Sequence, residues 1–257
     1  MNLKWLRPYS MEHVLEVHNL SKFFLVQPQK RTLFNLFKRV VAGPKTDKKV
    51  WALQDINFAL KQGENIGIVG HNGAGKTTLL RILAGIYRQT AGTVEVNGSI
   101  IGYFQSEVGM DRELIVLDNI YLFGAIMGLN RKEINKRLED ILDFSELKDF
   151  ICFPLRDLST GSILRLAMAI VKESAADIFF FDEMLSGGDL GFQEKCFNVF
   201  SQYRKMGKSI ITASHHLELI ERVCDKALLL DHGKQVDFGP AKEIVASYRK
   251  HWAHLSV

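Results

Sequence analysis

The 257-residue sequence predicts an α/β fold on a mainly parallel sheet, and three observations carry that prediction. In the second half, short apolar strands at Ile178 to Phe181, Ser209 to Ala213 and Ala227 to Leu230 alternate with helices at Phe192 to Lys205 and Glu218 to Cys224. That alternation is the signature of parallel strands joined by crossover helices. Nearer the N-terminus, a buried strand, Asn65 to Val69, enters a glycine-rich turn and then a helix from about Lys76 to Ile86. Between these regions, three-to-four spacing at Asn119 to Met127, Arg131 to Asp143 and Ser162 to Lys172 predicts a helical block inserted in a mixed chain.

An antiparallel portion is predicted ahead of and after the glycine-rich turn. Val14 to Leu20 alternates apolar and polar residues, and a second strand runs from Trp51 to Leu60. The stretch Gly92 to Tyr103 has the form of a hairpin, with Asn97-Gly98 as its turn signal. Residues 26–50 form an insertion rich in Lys, Arg and Gln, in which Leu33, Phe34, Leu36, Phe37, Val40 and Val41 fall near helical spacing. A short amphipathic helix of this kind suits a membrane surface, a partner, or the protein's own core.

Composition narrows the function classes. A 47% hydrophobic content supplies a sizeable core and argues against disorder. No apolar stretch reaches the roughly 18 to 20 residues of a membrane-spanning helix. The N-terminal residues lack the apolar centre and cleavage site of a secretory signal, so a cytosolic location is expected. Cys152, Cys196 and Cys224 are odd in number and widely spaced, which indicates buried or inert thiols in place of a disulfide framework or cysteine zinc site. The net charge of +4 is too small to argue for nucleic acid. It is uneven, since residues 1–50 hold ten Lys or Arg against three Asp or Glu. That segment is either a solvated basic loop or a surface for anionic lipid.

The sharpest motif is Gly70-His71-Asn72-Gly73-Ala74-Gly75-Lys76-Thr77, with Thr78 following, a phosphate-binding loop in its required strand-to-helix setting. Glycines let successive backbone N–H groups turn inward to phosphate oxygens, and the helix N-terminus adds its positive dipole end. Lys76 is expected to reach the β- and γ-phosphates of a nucleotide, and Thr77 to offer a hydroxyl to Mg²⁺; the loop alone leaves kinases, GTPases and ATPases open. A second motif, Ile178-Phe179-Phe180-Phe181-Asp182-Glu183, is a buried strand that delivers Asp182 to bind Mg²⁺. Glu183, one residue on, suits a general base or a group that orients the attacking water.

Leu158-Ser159-Thr160-Gly161-Ser162 stands about twenty residues before Asp182 and opens an apolar helix. It resembles the ABC signature motif, with Thr160 and Ser162 in place of the usual Gly and Gln. Ser159 keeps a hydroxyl, Gly161 a close backbone approach, and the helix a dipole aimed at phosphate. Other elements fall in the order of that family. Gln105 resembles the glutamine loop that contacts Mg²⁺ or water. Ser186-Gly187-Gly188-Asp189 resembles the D-loop, and Ser214-His215 the switch-histidine loop, with His216 where relatives often carry Asp. Phe24 resembles the aromatic that stacks on adenine; Phe23 and plain core packing are alternatives.

The resemblance implies a P-loop NTPase (RecA-like) core with a mainly parallel sheet, an antiparallel β portion and an inserted helical subdomain. It divides a single domain, 1–257, into a core at 14–110 and 173–240, a helical subdomain at 111–172, the insertion at 26–50 and a C-terminal helix at 241–257. It also implies a homodimer that encloses Mg²⁺-ATP between Lys76 and Thr77 of one copy and Ser159 and Gly161 of the other, with Asp189 beside the nucleotide. Glu183, His215 and Lys76 would be its catalytic residues. Within the family, the basic insertion before Trp51, the stretch Leu117 to Leu122 and Gly191 to Cys196 resemble subunits that export polysaccharides: O-antigen, capsule or teichoic acid. A separately encoded polytopic permease, a lipid-linked glycan, and a peripheral place on the cytoplasmic face of a bacterial plasma membrane follow from that branch. No glycan-reading module and no nucleic-acid partner are expected. Alternatives are an ABC ATPase for another cargo such as a lipid or drug, a non-transport ABC-type ATPase, and a regulatory subunit with little turnover.

Overall fold

The computed structural model describes residues 13–26, 48–104, 109–183 and 188–252. The predicted amphipathic insertion lies outside these residues apart from its ends, as do Gln105, Ser186 and Gly187. Among the described residues nine strands form one sheet: β1 (His13–Val26), β2 (Lys48–Lys61), β3 (Asn65–Val69), β4 (Ala91–Val96), β5 (Ile100–Tyr103), β6 (Ile178–Asp182), β7 (Ser209–Ala213), β8 (Lys226–Asp231) and β9 (Lys234–Pro240). Their order is β4-β1-β2-β9-β8-β3-β7-β6-β5. The run from β8 to β5 is parallel, whereas β1 pairs antiparallel with β2 and β4, and β9 antiparallel with β8. The predicted mainly parallel sheet with an antiparallel portion is therefore what forms.

The hairpin predicted at Gly92 to Tyr103 does not form. β4 pairs with β1 and β5 pairs with β6, so the two strands stand at opposite ends of the order although only Asn97, Gly98 and Ser99 separate them. Four residue steps span at most about 14 Å. The sheet must curl until its ends approach. The connecting residues show how: Asn97 N–H donates to Val14 O beside β1 (2.9 Å), while Ser99 N–H donates to Asp177 Oδ2 beside β6 (2.7 Å). Asn97-Gly98 does supply the turn, with Gly98 at φ 127°, but a turn signal cannot choose the partner of the strand that follows.

The helices are α1 (Lys76–Leu83), α2 (Val116–Ile126), α3 (Arg131–Ser145), α4 (Thr160–Val171), α5 (Leu190–Lys205), α6 (Leu217–Val223) and α7 (Ala241–Trp252). α1 stops three residues short of its predicted end, and α4 begins two residues before the predicted Ser162. In the helical block, α3 carries a complete capping box: Asn130 accepts from Lys132 and Glu133 N–H, and Glu133 accepts from Asn130 N–H.

Strand β6 divides the interior between two cores. Ile178 and Phe180 face one cluster with α1 and the β1–β2 pair, while Phe179 and Phe181 face the other with α4, α5 and the helical block. All four are 0–1% exposed. On the second face Phe179 stacks on Tyr203 (centroids 4.3 Å) and Phe181 lies 5.3 Å from Phe200. A strand covered on both faces is apolar at every position, which is why 178–181 is an unbroken run and not an alternating one. Cys196 and Cys224 are buried as expected, and burial pushes the Cys196 thiol up to about 12. Cys152 is also a free thiol but exposed, since it follows a short 3-10 turn, Lys148–Phe150, at the rim of the helical block.

Candidate active site

The phosphate loop joins β3 to α1, and its shape is set by what grips it from outside. A Cβ on Gly70 would lie 2.3 Å from Leu230 O of β8, and one on Gly75 2.8 Å from Ala52 O of β2. Only glycine lets the loop lie this close to its neighbours. Gly75 is also the N-cap of α1 in a left-handed conformation (φ 108°), and no side chain caps the helix. The first N–H groups of α1 thus remain for an anion. Lys76 is buried, and its Nζ donates to Gly70 O (2.7 Å) and His71 O (3.1 Å) inside the loop. Burial lowers its pKa, against which Glu183 and Asp182 act to raise it. A cation held in the loop by carbonyls is ready to exchange those contacts for phosphate oxygens.

Asp182 and Glu183 arrive at this loop from β6. The Thr77 hydroxyl donates to the Asp182 carboxylate, so two of the three predicted Mg²⁺ ligands are already in contact. Asp182 Oδ1 is buried with no hydrogen-bond partner, and desolvation raises the pKa of the carboxyl. A buried, partnerless carboxylate oxygen beside a hydroxyl is a donor set that fits a hard divalent cation. Glu183 adopts a left-handed backbone (φ 50°), and its N–H donates to Ala213 O at the end of β7 (2.9 Å). This turns its side chain away from that of Asp182 and toward the loop after β7. There His215 Nδ1 stands 3.4 Å from Glu183 Oε2, both groups being part-exposed. His216 packs beside His215, with ring centroids 4.2 Å apart.

The structure thus brings together Gly70, His71, Asn72, Gly73, Ala74, Gly75, Lys76, Thr77, Asp182, Glu183 and His215. Ser159 and Gly161 lie elsewhere in the chain, at the start of α4. Ser159 caps that helix, accepting from Ser162 N–H (3.1 Å) and lying 2.9 Å from Ser162 Oγ. Asp189 caps α5 by accepting from Phe192 N–H (2.9 Å). Phe24 packs edge-on against Tyr87 (5.8 Å) beneath the Lys22 ammonium, and Phe23 packs edge-on against Trp51 (5.2 Å).

Two groups had no signal in the sequence. Arg165 of α4 pairs with Asp189 and with Glu146, and Lys195 pairs with Glu146 (2.6 Å), so the helix opened by Ser159 is tied to the loop that carries Asp189. Asp231 and His232, at the tip of the β8–β9 turn, lie beside His71 of the phosphate loop. Neither pairing leaves a trace at fixed spacing, because the partners are far apart along the chain.

A parallel sheet, a phosphate loop at the end of a central strand and a carboxylate pair at the end of β6, the next strand but one, define a nucleoside-triphosphate hydrolase of the P-loop class. Comparison with known proteins gives the family. The ABC transporter family model matches residues 53–186. The chain is 33% identical to the O-antigen export system ATP-binding protein RfbB of Klebsiella pneumoniae, over 93% of this chain and 99% of that one. It is 37% identical to the teichoic acids export ATP-binding protein TagH of Lactiplantibacillus plantarum, over 93% of this chain and 65% of that one. Among solved structures, the dimeric post-hydrolysis state of the ATP-binding cassette MJ0796 bound to ADP and Pi superposes with a TM-score of 0.72 at 20% identity, covering 88% of this chain and 98% of that one. The chain belongs to the ABC transporter family, and it is an ATP hydrolase of that family.

Proposed function

We propose that this chain is the ATP-hydrolysing subunit of a transporter that exports a cell-surface polysaccharide, carried as a lipid-linked glycan, across a bacterial plasma membrane. The observation that carries the cargo is the match to the O-antigen exporter subunit, which runs nearly the full length of both chains. The match to teichoic acid export subunits points to the same class. Among the described residues no helix is long and apolar enough to cross a membrane. The similarity to ATP-binding subunits of export systems supports a separate polytopic permease with this chain at its cytoplasmic face. ATPases for other cargo remain the alternative, and the export assay below separates them.

In the mechanism that follows from the site, two copies enclose each triphosphate. Backbone N–H groups of residues 70–75 and of Lys76, Thr77 and Thr78 hold the phosphates of ATP, with Phe24, or Phe23 beside it, against the base. Thr77, Asp182 and Gln105 would hold Mg²⁺, which would supply positive charge against the triphosphate. From the opposing copy, Ser159 and Gly161 at the tip of α4 close over the γ-phosphate, and Arg165 keeps that tip and Asp189 in one unit. Glu183 accepts a hydrogen bond from the attacking water and orients it in line. His215, held by its contact with Glu183, donates to the γ-phosphate oxygen where charge builds up. Phosphoryl transfer asks for positioning and charge more than for covalent chemistry, and these residues supply both. Cleavage removes the group both copies grip, so the dimer loosens and drives the permease.

The test is export in cells that lack this chain. Radiolabelled lipid-linked glycan should accumulate on the cytoplasmic side, and wild-type protein but not Glu183→Gln should clear it. Normal glycan export in the deletion strain would remove polysaccharide as the cargo.

A further inference from the structure

We propose that His71, Asp231 and His232 form a binding site for a divalent transition-metal ion of the zinc class, which pins the phosphate loop to the β8–β9 turn. One candidate ligand atom from each residue falls within 4.8 Å of the others. His71 Nε2 lies 3.1 Å from Asp231 Oδ1, and His232 Nε2 lies 3.9 Å from the same oxygen. Ligands about 2.0 to 2.1 Å from a tetrahedral zinc ion stand about 3.3 Å apart, a value these two separations bracket.

The hydrogen bonding of His71 supplies an independent reason for a cation. Its Nδ1 lies 2.7 Å from Asn72 O. A carbonyl only accepts, so Nδ1 carries the proton, and in the neutral ring Nε2 then presents a lone pair. That lone pair faces a carboxylate oxygen, which also only accepts. Two acceptors at 3.1 Å repel unless positive charge lies between them. Anchoring a ring through one N–H to a backbone carbonyl while the other nitrogen binds metal is the usual way a ligating histidine is oriented.

Two imidazoles and one carboxylate suit zinc, and leave a coordination position for water. Exposure fits that arrangement: the His71, Asp231 and His232 side chains are 26%, 30% and 83% exposed, so the ion would sit at the rim with solvent on its open side. The backbone aims the third ligand. His232-Gly233 is a two-residue turn with φ 45° and 77°, and Gly233 N–H donates to Ala74 O of the phosphate loop (3.0 Å). The turn is therefore docked on the loop before any ion arrives, and His232 needs only a side-chain rotation to complete the set.

The experiment titrates nucleotide-free, chelator-treated full chain with Zn²⁺ at neutral pH by calorimetry, comparing wild type with His232→Asn and Asp231→Asn. Asn tolerates the left-handed backbone at 232, and circular dichroism checks that each variant is folded. We expect wild type to bind one more Zn²⁺ than either variant, or to bind it at least tenfold more tightly, and to gain thermal stability from Zn²⁺ that both variants lack. Mg²⁺ in place of Zn²⁺ should reproduce neither effect. Equal zinc stoichiometry and affinity in all three proteins would overturn the proposal. So would an absence of zinc binding in wild type.

Discussion

Glu183 Oε2 stands 3.4 Å from His215 Nδ1, although 32 residues separate them in the chain. The contact follows from strand pairing: Asp182 of β6 lies opposite Ala213 of β7, so the residues just beyond each strand end emerge side by side. Glu183 reaches across because its backbone turns left-handed where the strand stops. Such a conformation costs about 1–3 kcal/mol in a non-glycine residue and is found where geometry matters more than local comfort.

Glu183→Gln should leave nucleotide binding intact and lower phosphate release by at least about 10²-fold, the range expected for loss of a positioned base. Equilibrium binding of a fluorescent ATP analogue and steady-state phosphate release check the two halves separately. Turnover within a few-fold of wild type would remove Glu183 from the reaction.

Gly70→Ala should abolish nucleotide binding without unfolding the chain. The added carbon would lie 2.3 Å from a backbone oxygen, Leu230 O, which cannot swing aside as a side chain can. The loop must shift, at an overpacking cost of about 1–3 kcal/mol in stability. Isothermal titration with ATP, beside a denaturant melt, would show both effects.

Phe179→Ala should cost about 3–5 kcal/mol by opening a cavity against Tyr203, with no direct effect on the site. Urea unfolding would show the loss as a lower midpoint.

Ser99→Ala should lower stability by about 1 kcal/mol or less at neutral pH, discounted for solvent exposure. The Ser99 backbone N–H and hydroxyl both donate to Asp177 and hold its carboxyl below the usual carboxylate range. Its folded pKa is depressed, so this contribution is present above the unfolded value and lost as pH falls through the folded one. The thermal-melting difference between wild type and variant should therefore shrink as the solution is acidified below about pH 4.

What could be read in advance followed the range of each signal. The phosphate loop and the 178–183 strand were legible because local sequence determines both. Strand β9 gives only a short signal: Val236 and Phe238 alternate with Gln235 and Asp237, but the run ends at once in Gly239-Pro240, a turn-forming pair, and Val236 stays exposed. β1 runs six residues beyond its predicted end, through Phe23 to Val26, because pairing with β2 holds it there. The His71–Asp231 contact joins positions 160 apart, and no spacing rule reaches that far. Of the insertion at 26–50 the described ends, Val26 and Lys48 to Val50, extend β1 and β2, while residues 27–47 and Gln105 lie outside the described residues.

The strand that carries the phosphate loop, β3, is flanked by β7 and β8, whose partners to residues 65–69 lie at 210–213 and 226–229. During synthesis the loop leaves the ribosome about 140 residues ahead of the first of the two strands that wall it, as the numbering of the partners shows. A growing chain should therefore be unable to grip a nucleotide until β8 has emerged, and ATP affinity would then report on the arrival of that strand.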